Sequence, residues 1–188
     1  MKVYVVRHGE SENNLSGCWT GWMDVRLTEK GVADAQKAGK VLEGIRFDKV
    51  FSSDLIRAQK TAEAAIPGCR YESTPLLREV NVGNIAGKPL NILTDEQRAT
   101  IGKVGYVELE GESKVEFRER VGQFLKVLEG LDCENVAVFS HRGWLLTMLD
   151  LVMGMDVPRK HIFCGNCAVM VYEFDGKNWR LYNLINVT

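Results

Sequence analysis

The sequence predicts a three-layer α/β/α sandwich built on a mostly parallel sheet. Short apolar runs alternate with helical patterns, two of these runs end abruptly in polar residues that include a histidine, and 188 residues suffice for one sizeable core. Strands covered on both faces read as continuous runs of branched apolar residues, which is how the N-terminal and Val136 runs read. A single domain over residues 1–188 is expected.

Lys2 to Val6 is the first such strand and leads directly into Arg7-His8-Gly9-Glu10. After a loop rich in Gly, Trp and Asn, Thr28 can cap a helix with Val32, Ala35, Gly39 and Leu42 at helical spacing and Gly44 at its end. Lys49 to Ser52 reads as a second strand, and Ser53-Asp54 as the opening of a helix through Arg57, Thr61 and Ala65 that Pro67-Gly68 terminate. Pro75 to Gly111 has weak periodicity and reads as a loop with a short helix near Asp95 to Ile101. Ser113 and Glu116 have capping-box spacing ahead of a helix whose Val121, Phe124, Leu125 and Leu128 share one face. Val136 to Phe139 is an apolar strand ending in Ser140-His141-Arg142, followed by a helix through Leu151. Ala168 to Phe174 and Trp179 to Ile185 flank Asp175-Gly176, a hairpin signal.

Composition excludes several classes. Hydrophobic residues are 45% and charged residues 26%, and no apolar stretch is long enough to cross a bilayer, so neither disorder nor membrane insertion is expected. With 24 Lys plus Arg against 25 Asp plus Glu the net charge is -1, so no nucleic-acid partner is expected and any anion site must be local. Met1 to Val6 runs straight into charged residues without the apolar core of a secretory signal, and five cysteines are an odd number in a chain too long to need stapling. A cytoplasmic protein with reduced thiols is the expectation, and a homodimer is compatible with it. Cys164 and Cys167 have redox or metal spacing, but lack a second cysteine pair and a following helix, so packing is the better reading.

Two strands therefore deliver His8 and His141 to the carboxyl edge of the sheet, with Arg7 and Arg142 beside them and Arg57 on the helix after the second strand. Guanidinium forks match phosphate oxygens, and a helix start adds backbone N–H groups. Glu79 supplies a carboxyl donor. Taken singly, each is ordinary: a histidine after a strand is usually a packing residue and an arginine on a helix usually a solvated one.

Arg7-His8-Gly9-Glu10-Ser11, followed by Asn14, Gly21, Asp24 and Leu27-Thr28, resembles the histidine phosphatase superfamily, in its phosphoglycerate-mutase-like branch. Three further blocks continue the likeness in order: Ser52-Ser53-Asp54-Leu55 with Arg57-Ala58 and Thr61-Ala62, then Leu77-Arg78-Glu79 with Gly83 and Gly87, then Ser140-His141. The resemblance implies that His8 is the nucleophile that takes the phosphoryl group, that Arg7, Arg57 and His141 surround its oxygens, and that Glu79 protonates the leaving alcohol. Ser11, Asn14, Thr20, Gly21 and Arg142 are further candidates for contact with the substrate, a small phosphorylated metabolite. Neither a metal nor another cofactor is implied.

These roles suit phosphoryl transfer, in which fixed donors lower the barrier by tightening on charge that spreads over three equatorial oxygens. His8 must attack as neutral imidazole, and neighbouring guanidinium groups disfavour its charged form. Glu79 must hold a proton, which an arriving phosphate dianion favours. Phosphate monoester hydrolysis can demand accelerations approaching about 10²¹, whereas one general acid supplies roughly 10²–10⁴. The covalent step and the charge cluster must therefore carry most of the rate.

Several positions depart from the family pattern. Glycine usually follows the second histidine, but Arg142 stands here with Gly143 next, and Cys18 stands where many relatives carry arginine. Thr20-Gly21-Trp22 is mutase-like. Val82 and Leu90 occupy the places of a mutase tyrosine and lysine, and the arginine pair of the following mutase loop is missing. The expected activity is hydrolysis through phosphohistidine; a cofactor-dependent phosphoglycerate mutase is the first alternative, and a non-catalytic phospho-ligand binding protein the second.

Overall fold

A computed structural model describes residues 1–187. Its elements run β1 (Lys2–Arg7), α1 (Glu12–Leu15), α2 (Glu29–Leu42), β2 (Lys49–Ser53), α3 (Ile56–Ala65), β3 (Glu72–Thr74), α4 (Asp95–Val104), α5 (Lys114–Glu129), β4 (Asn135–Ser140), α6 (Arg142–Met153), β5 (Val169–Phe174) and β6 (Trp179–Ile185), with single 3₁₀ turns between them. The six strands form one mixed sheet in the order β3-β2-β4-β1-β5-β6. The first four of these strands run parallel, and β5 and β6 are added antiparallel. The expected α/β architecture is thus present.

Side chains alternate across the strands and feed two cores. Val3, Val5, Val136, Val138, Met170 and Tyr172 face α5 and α6, where Val121, Phe124, Leu128, Trp144 and Leu145 pack on them. Val6, Ala137, Phe139, Val169 and Val171 face the opposite way, onto Ala35, Ala38 and Leu42 of α2 and Ala62 and Ala65 of α3. Each large apolar side chain removed from water contributes about 1.5–3 kcal/mol. This double burial fixes the register that aligns Arg7 with Ser140 and Ser52 with Phe139, so β1, β2 and β4 end at one level.

The caps at Thr28 and Ser113 form as their spacing predicts, the latter as a full capping box with Glu116. Four details differ. Helix α3 starts at Ile56 rather than Ser53: Ser53 pairs in β2, Asp54 ion-pairs with Arg78, and the Ile56 amide donates to Asp24 Oδ1 at 2.8 Å. The helix start is therefore partly satisfied from the protein itself. In α2 the buried line runs through Gly31, Asp34, Ala35, Ala38 and Leu42, leaving Val32 exposed. Gly31 sits against Gly9 and Glu10, where a Cβ on either glycine would strike the other segment's backbone. Finally, α4 continues to Val104, behind a Thr94–Gln97 capping box, and β3 is a short edge strand with no apolar run.

Candidate active site

His8 follows β1 and its amide donates to Ser140 O at 2.9 Å, which ties the two histidine-bearing strand ends together. The rings of His8 and His141 lie with centroids 5.1 Å apart, tilted by 58°. His8 is 5% exposed and His141 fully buried. Gly9 O lies 2.7 Å from His8 Nδ1 and can only accept, so that nitrogen carries the proton and Nε2 keeps its lone pair. The backbone here is closely held: Gly9 N donates to Thr61 Oγ1, and His8 O accepts from both Asn166 Nδ2 and Cys167 N.

Two guanidinium groups border the rings. Arg57 is 1% exposed and donates through Nη1 to Met23 O and through Nη2 to Gly21 O, each at 2.8 Å. Arg7 donates through Nη1 to Cys164 O at 2.7 Å. His141 Nε2 is 2.9 Å from Ser53 Oγ, which already accepts from Leu55 N; the hydroxyl proton can then point at Nε2, leaving the ring proton on Nδ1. Arg7 Nε, Arg57 Nε and His141 Nδ1 are buried without any partner among the described residues. Each such orphan costs about 1–3 kcal/mol or more unless an acceptor arrives, so three in one cluster mark an anion site.

Electrostatics follow from this packing. Burial pushes the His8 pKa well down, reinforced by Arg57 and Arg7 and opposed by the bond to Gly9 O. His141 is lowered in the same direction by burial, then Arg57, His8, Arg120 and Arg7. Burial also brings Arg57 down to about 10, against the pull of Glu79 and Asp24, and lowers Arg7. Both imidazoles are therefore neutral near pH 7 while the guanidinium groups stay charged. Burial outweighs the arginines as the cause.

Glu79 reaches the cluster from the 75–111 segment. Its Oε1 accepts from Val80 N at 2.9 Å and its Oε2 from Gly143 N at 3.1 Å, at the start of α6. A Cβ at residue 143 would meet this carboxylate, so a larger residue there would displace the Glu79 side chain from its present position. Arg120, which sequence reasoning missed, holds the loop. It donates to the carbonyls of Leu76, Arg78 and Glu79 at 2.8 to 3.2 Å and pairs through Nε and Nη2 with Glu112 at 2.9 and 2.8 Å. Trp22 Nε1 adds a bond to Glu79 O at 2.7 Å, with Arg78 stacked on its ring. No side-chain motif could announce this, because most of the acceptors are main-chain carbonyls.

The other candidates are placed variously. Ser11 is buried and forms a capping box with Asn14, whose Oδ1 also accepts from Asn166. Gly21 adopts φ +51° and gives its carbonyl to Arg57. Thr20 is half-buried in the same loop, and its carbonyl accepts from Met23 N. Arg142 is half-buried at the start of α6 and faces a cleft beside Glu79. Trp19 packs edge-on against Tyr106 in a small satellite core with Val82, Ile85 and Leu93. Cys164 and Cys167 are free, buried thiols raised in pKa by burial. Among the described residues no three His, Cys, Asp or Glu side chains gather as a metal site, and no helix is long and apolar enough to cross a membrane.

The family model described as histidine phosphatase superfamily (branch 1) matches residues 3–187. The chain belongs to the histidine phosphatase superfamily. It is 31% identical over 163 residues to an adenosylcobalamin/alpha-ribazole phosphatase of Salmonella typhimurium, covering 82% of this chain and 81% of that protein. It is 45% identical to a 2,3-bisphosphoglycerate-dependent phosphoglycerate mutase of Xanthobacter autotrophicus over 107 residues, 53% of this chain and 50% of the mutase. The match thus spans about half the length of that mutase. Among solved structures, an alpha-ribazole phosphatase from Shigella flexneri superposes with a TM-score of 0.86 at 25% identity, covering 100% of this chain and 97% of the other. A phosphoglycerate mutase from Thermus thermophilus gives 0.74 at 28% identity, covering 96% and 97%. The superfamily thus joins phosphatases and mutases on this fold.

Proposed function

We propose that this histidine phosphatase superfamily member is a phosphomonoesterase acting on a small phosphorylated metabolite. The observation that carries the reading is the set of three partnerless buried donors, Arg7 Nε, Arg57 Nε and His141 Nδ1, around a neutral His8 with Nε2 free. A phosphoryl group supplies the acceptors these atoms lack. His8 Nε2 attacks phosphorus, the bond from phosphorus to the ester oxygen breaks, and a proton from Glu79 goes to the departing alkoxide. Water then attacks the phosphohistidine and gives its proton to Glu79, the P–N bond breaks, and inorganic phosphate leaves. The arginines and His141 stabilise charge on the equatorial oxygens in both steps.

Hydrolysis rather than mutase chemistry is supported by two features. Val82 is buried in the satellite core and Leu90 is exposed, so neither position offers a polar grip for a second anionic group. The Salmonella phosphatase also matches over most of both chains, whereas the Xanthobacter mutase matches over half. Five unpaired cysteines support a reducing compartment, the cytoplasm. The test is inorganic phosphate release from a panel of phosphomonoesters that includes alpha-ribazole phosphate and 3-phosphoglycerate, with and without EDTA. Release unaffected by EDTA is expected; interconversion of phosphoglycerates without release, or phosphate binding without turnover of any ester, overturns the reading.

A further inference from the structure

We propose that the cleft bounded by α4, the first turns of α5 and the start of α6 receives the alcohol portion of the substrate, and that Arg142 pairs there with an anionic group, such as a carboxylate, carried by that alcohol. This rests on the phosphomonoesterase reading and narrows its substrate class.

The cleft measures about 380 Å³, within the roughly 300–1,000 Å³ of small-molecule sites, and Val80, Ile101, Phe117 and Leu146 give it apolar walls. Its position is set by Glu79. Val80 and Gly143 line the cleft, and their amides hold the two Glu79 carboxylate oxygens. The cleft therefore begins beside the group that serves the leaving oxygen, on the side of Glu79 where none of His8, Arg7, Arg57 or His141 lines the wall.

Charge argues for the anionic substituent. Asp150 is paired with Arg159 at 3.0 Å, and Asp156 with Lys114 at 2.7 Å and Arg118 at 3.4 Å. Arg142 alone of these charged lining residues makes no hydrogen bond and no ion pair among the described residues, and it is half-buried. Its charge lies near enough to Arg7 to work against that group's protonation, so a carboxylate at Arg142 would relieve repulsion as well as form a pair. Tyr106 adds a hydroxyl whose pKa burial raises to about 12, a donor throughout the neutral range.

The experiment compares benzyl phosphate with 4-(phosphonooxymethyl)benzoate, which differ by one carboxylate on the leaving alcohol. Wild-type kcat/KM is expected to favour the carboxylated ester by about tenfold or more, and Arg142→Gln to remove most of that preference. Ile101→Trp, which narrows the cleft, should raise KM for both benzyl esters relative to methyl phosphate. Equal kcat/KM for the two esters, or an Arg142→Gln loss of the same size on both, overturns the proposal and gives the cation to the phosphate instead. If no ester is hydrolysed, the phosphatase reading fails by itself. The cleft is then judged by binding of the phosphate-free alcohol 4-(hydroxymethyl)benzoate: amide shifts at Ile101 and Tyr106 that Arg142→Gln weakens support it, and their absence overturns it.

Discussion

The two halves of the active site are built by opposite means. The half holding His8, His141, Arg7 and Arg57 grows from strand ends and a helix packed inside the two cores; its side chains are buried or, for Arg7, half-buried, and bind backbone carbonyls or, for His141, the Ser53 hydroxyl. The half holding Glu79 is a segment of single 3₁₀ turns and the exposed helix α4, held at its main-chain carbonyls by side chains from elsewhere, chiefly Arg120 with Trp22, Ser140 and Trp144. Chemistry common to any phosphate ester sits where the fold is hardest to alter. The segment that carries Glu79 can change without disturbing the sheet.

That contrast can be broken by experiment. The largest effect is expected from His8→Ala, which removes the nucleophile: phosphate release should fall by more than about 10⁴-fold, and acid-labile phosphohistidine should vanish from quenched reactions. Comparable turnover in His8→Ala and Glu79→Gln would erase the distinction between the halves. Next comes Arg57→Met, expected to lower kcat by about 10²–10³-fold and also to lower the urea midpoint, because Gly21 O and Met23 O lose their donors. Glu79→Gln should cost roughly 10²–10⁴-fold on esters with poor leaving groups and much less on 4-nitrophenyl phosphate, whose leaving group needs no proton. Arg120→Lys keeps the charge but cannot span the carbonyls and Glu112; kcat is expected to fall about tenfold with unchanged phosphohistidine chemistry on 4-nitrophenyl phosphate.

A separate test concerns pH and reads stability rather than turnover. Both imidazoles have folded pKa values well below the unfolded value near 6.5, so below that pH the unfolded chain binds more protons than the folded one. Stability is full above about pH 6.5 and declines as pH falls toward the lowered folded values, by up to about 1.4 kcal/mol per pH unit for each histidine. Urea titrations between pH 7.5 and 5 should show this slope, and His141→Gln should reduce it.

The same contrast governs what the sequence reveals. The strands of the buried half announce themselves, because a segment covered on both faces must be apolar throughout and its polar terminus then stands out; His8 and His141 are legible for that reason. Ser53 is legible only as a helix start, since a residue that closes a strand and bonds a distant histidine has no local mark. In the other half, Glu72 to Thr74 lacks an apolar run because an edge strand needs none, and Arg120 binds carbonyls that every residue possesses. The start of α4 at Asp95 was legible and coincides with the Thr94–Gln97 capping box, whereas its end ran three residues past Ile101.

The placement of β5 has a consequence for how the protein is made. Strand β1, which leads into His8, lies at the middle of the sheet, between β4 and β5, and its neighbours are supplied by residues 135–140 and 169–174. A nascent chain leaving the ribosome therefore carries β1 unpaired until residues 135–140 have emerged, and the pocket cannot close until the hairpin follows. Truncation anywhere before residue 174 should release a chain that aggregates or is degraded, rather than a partly active enzyme.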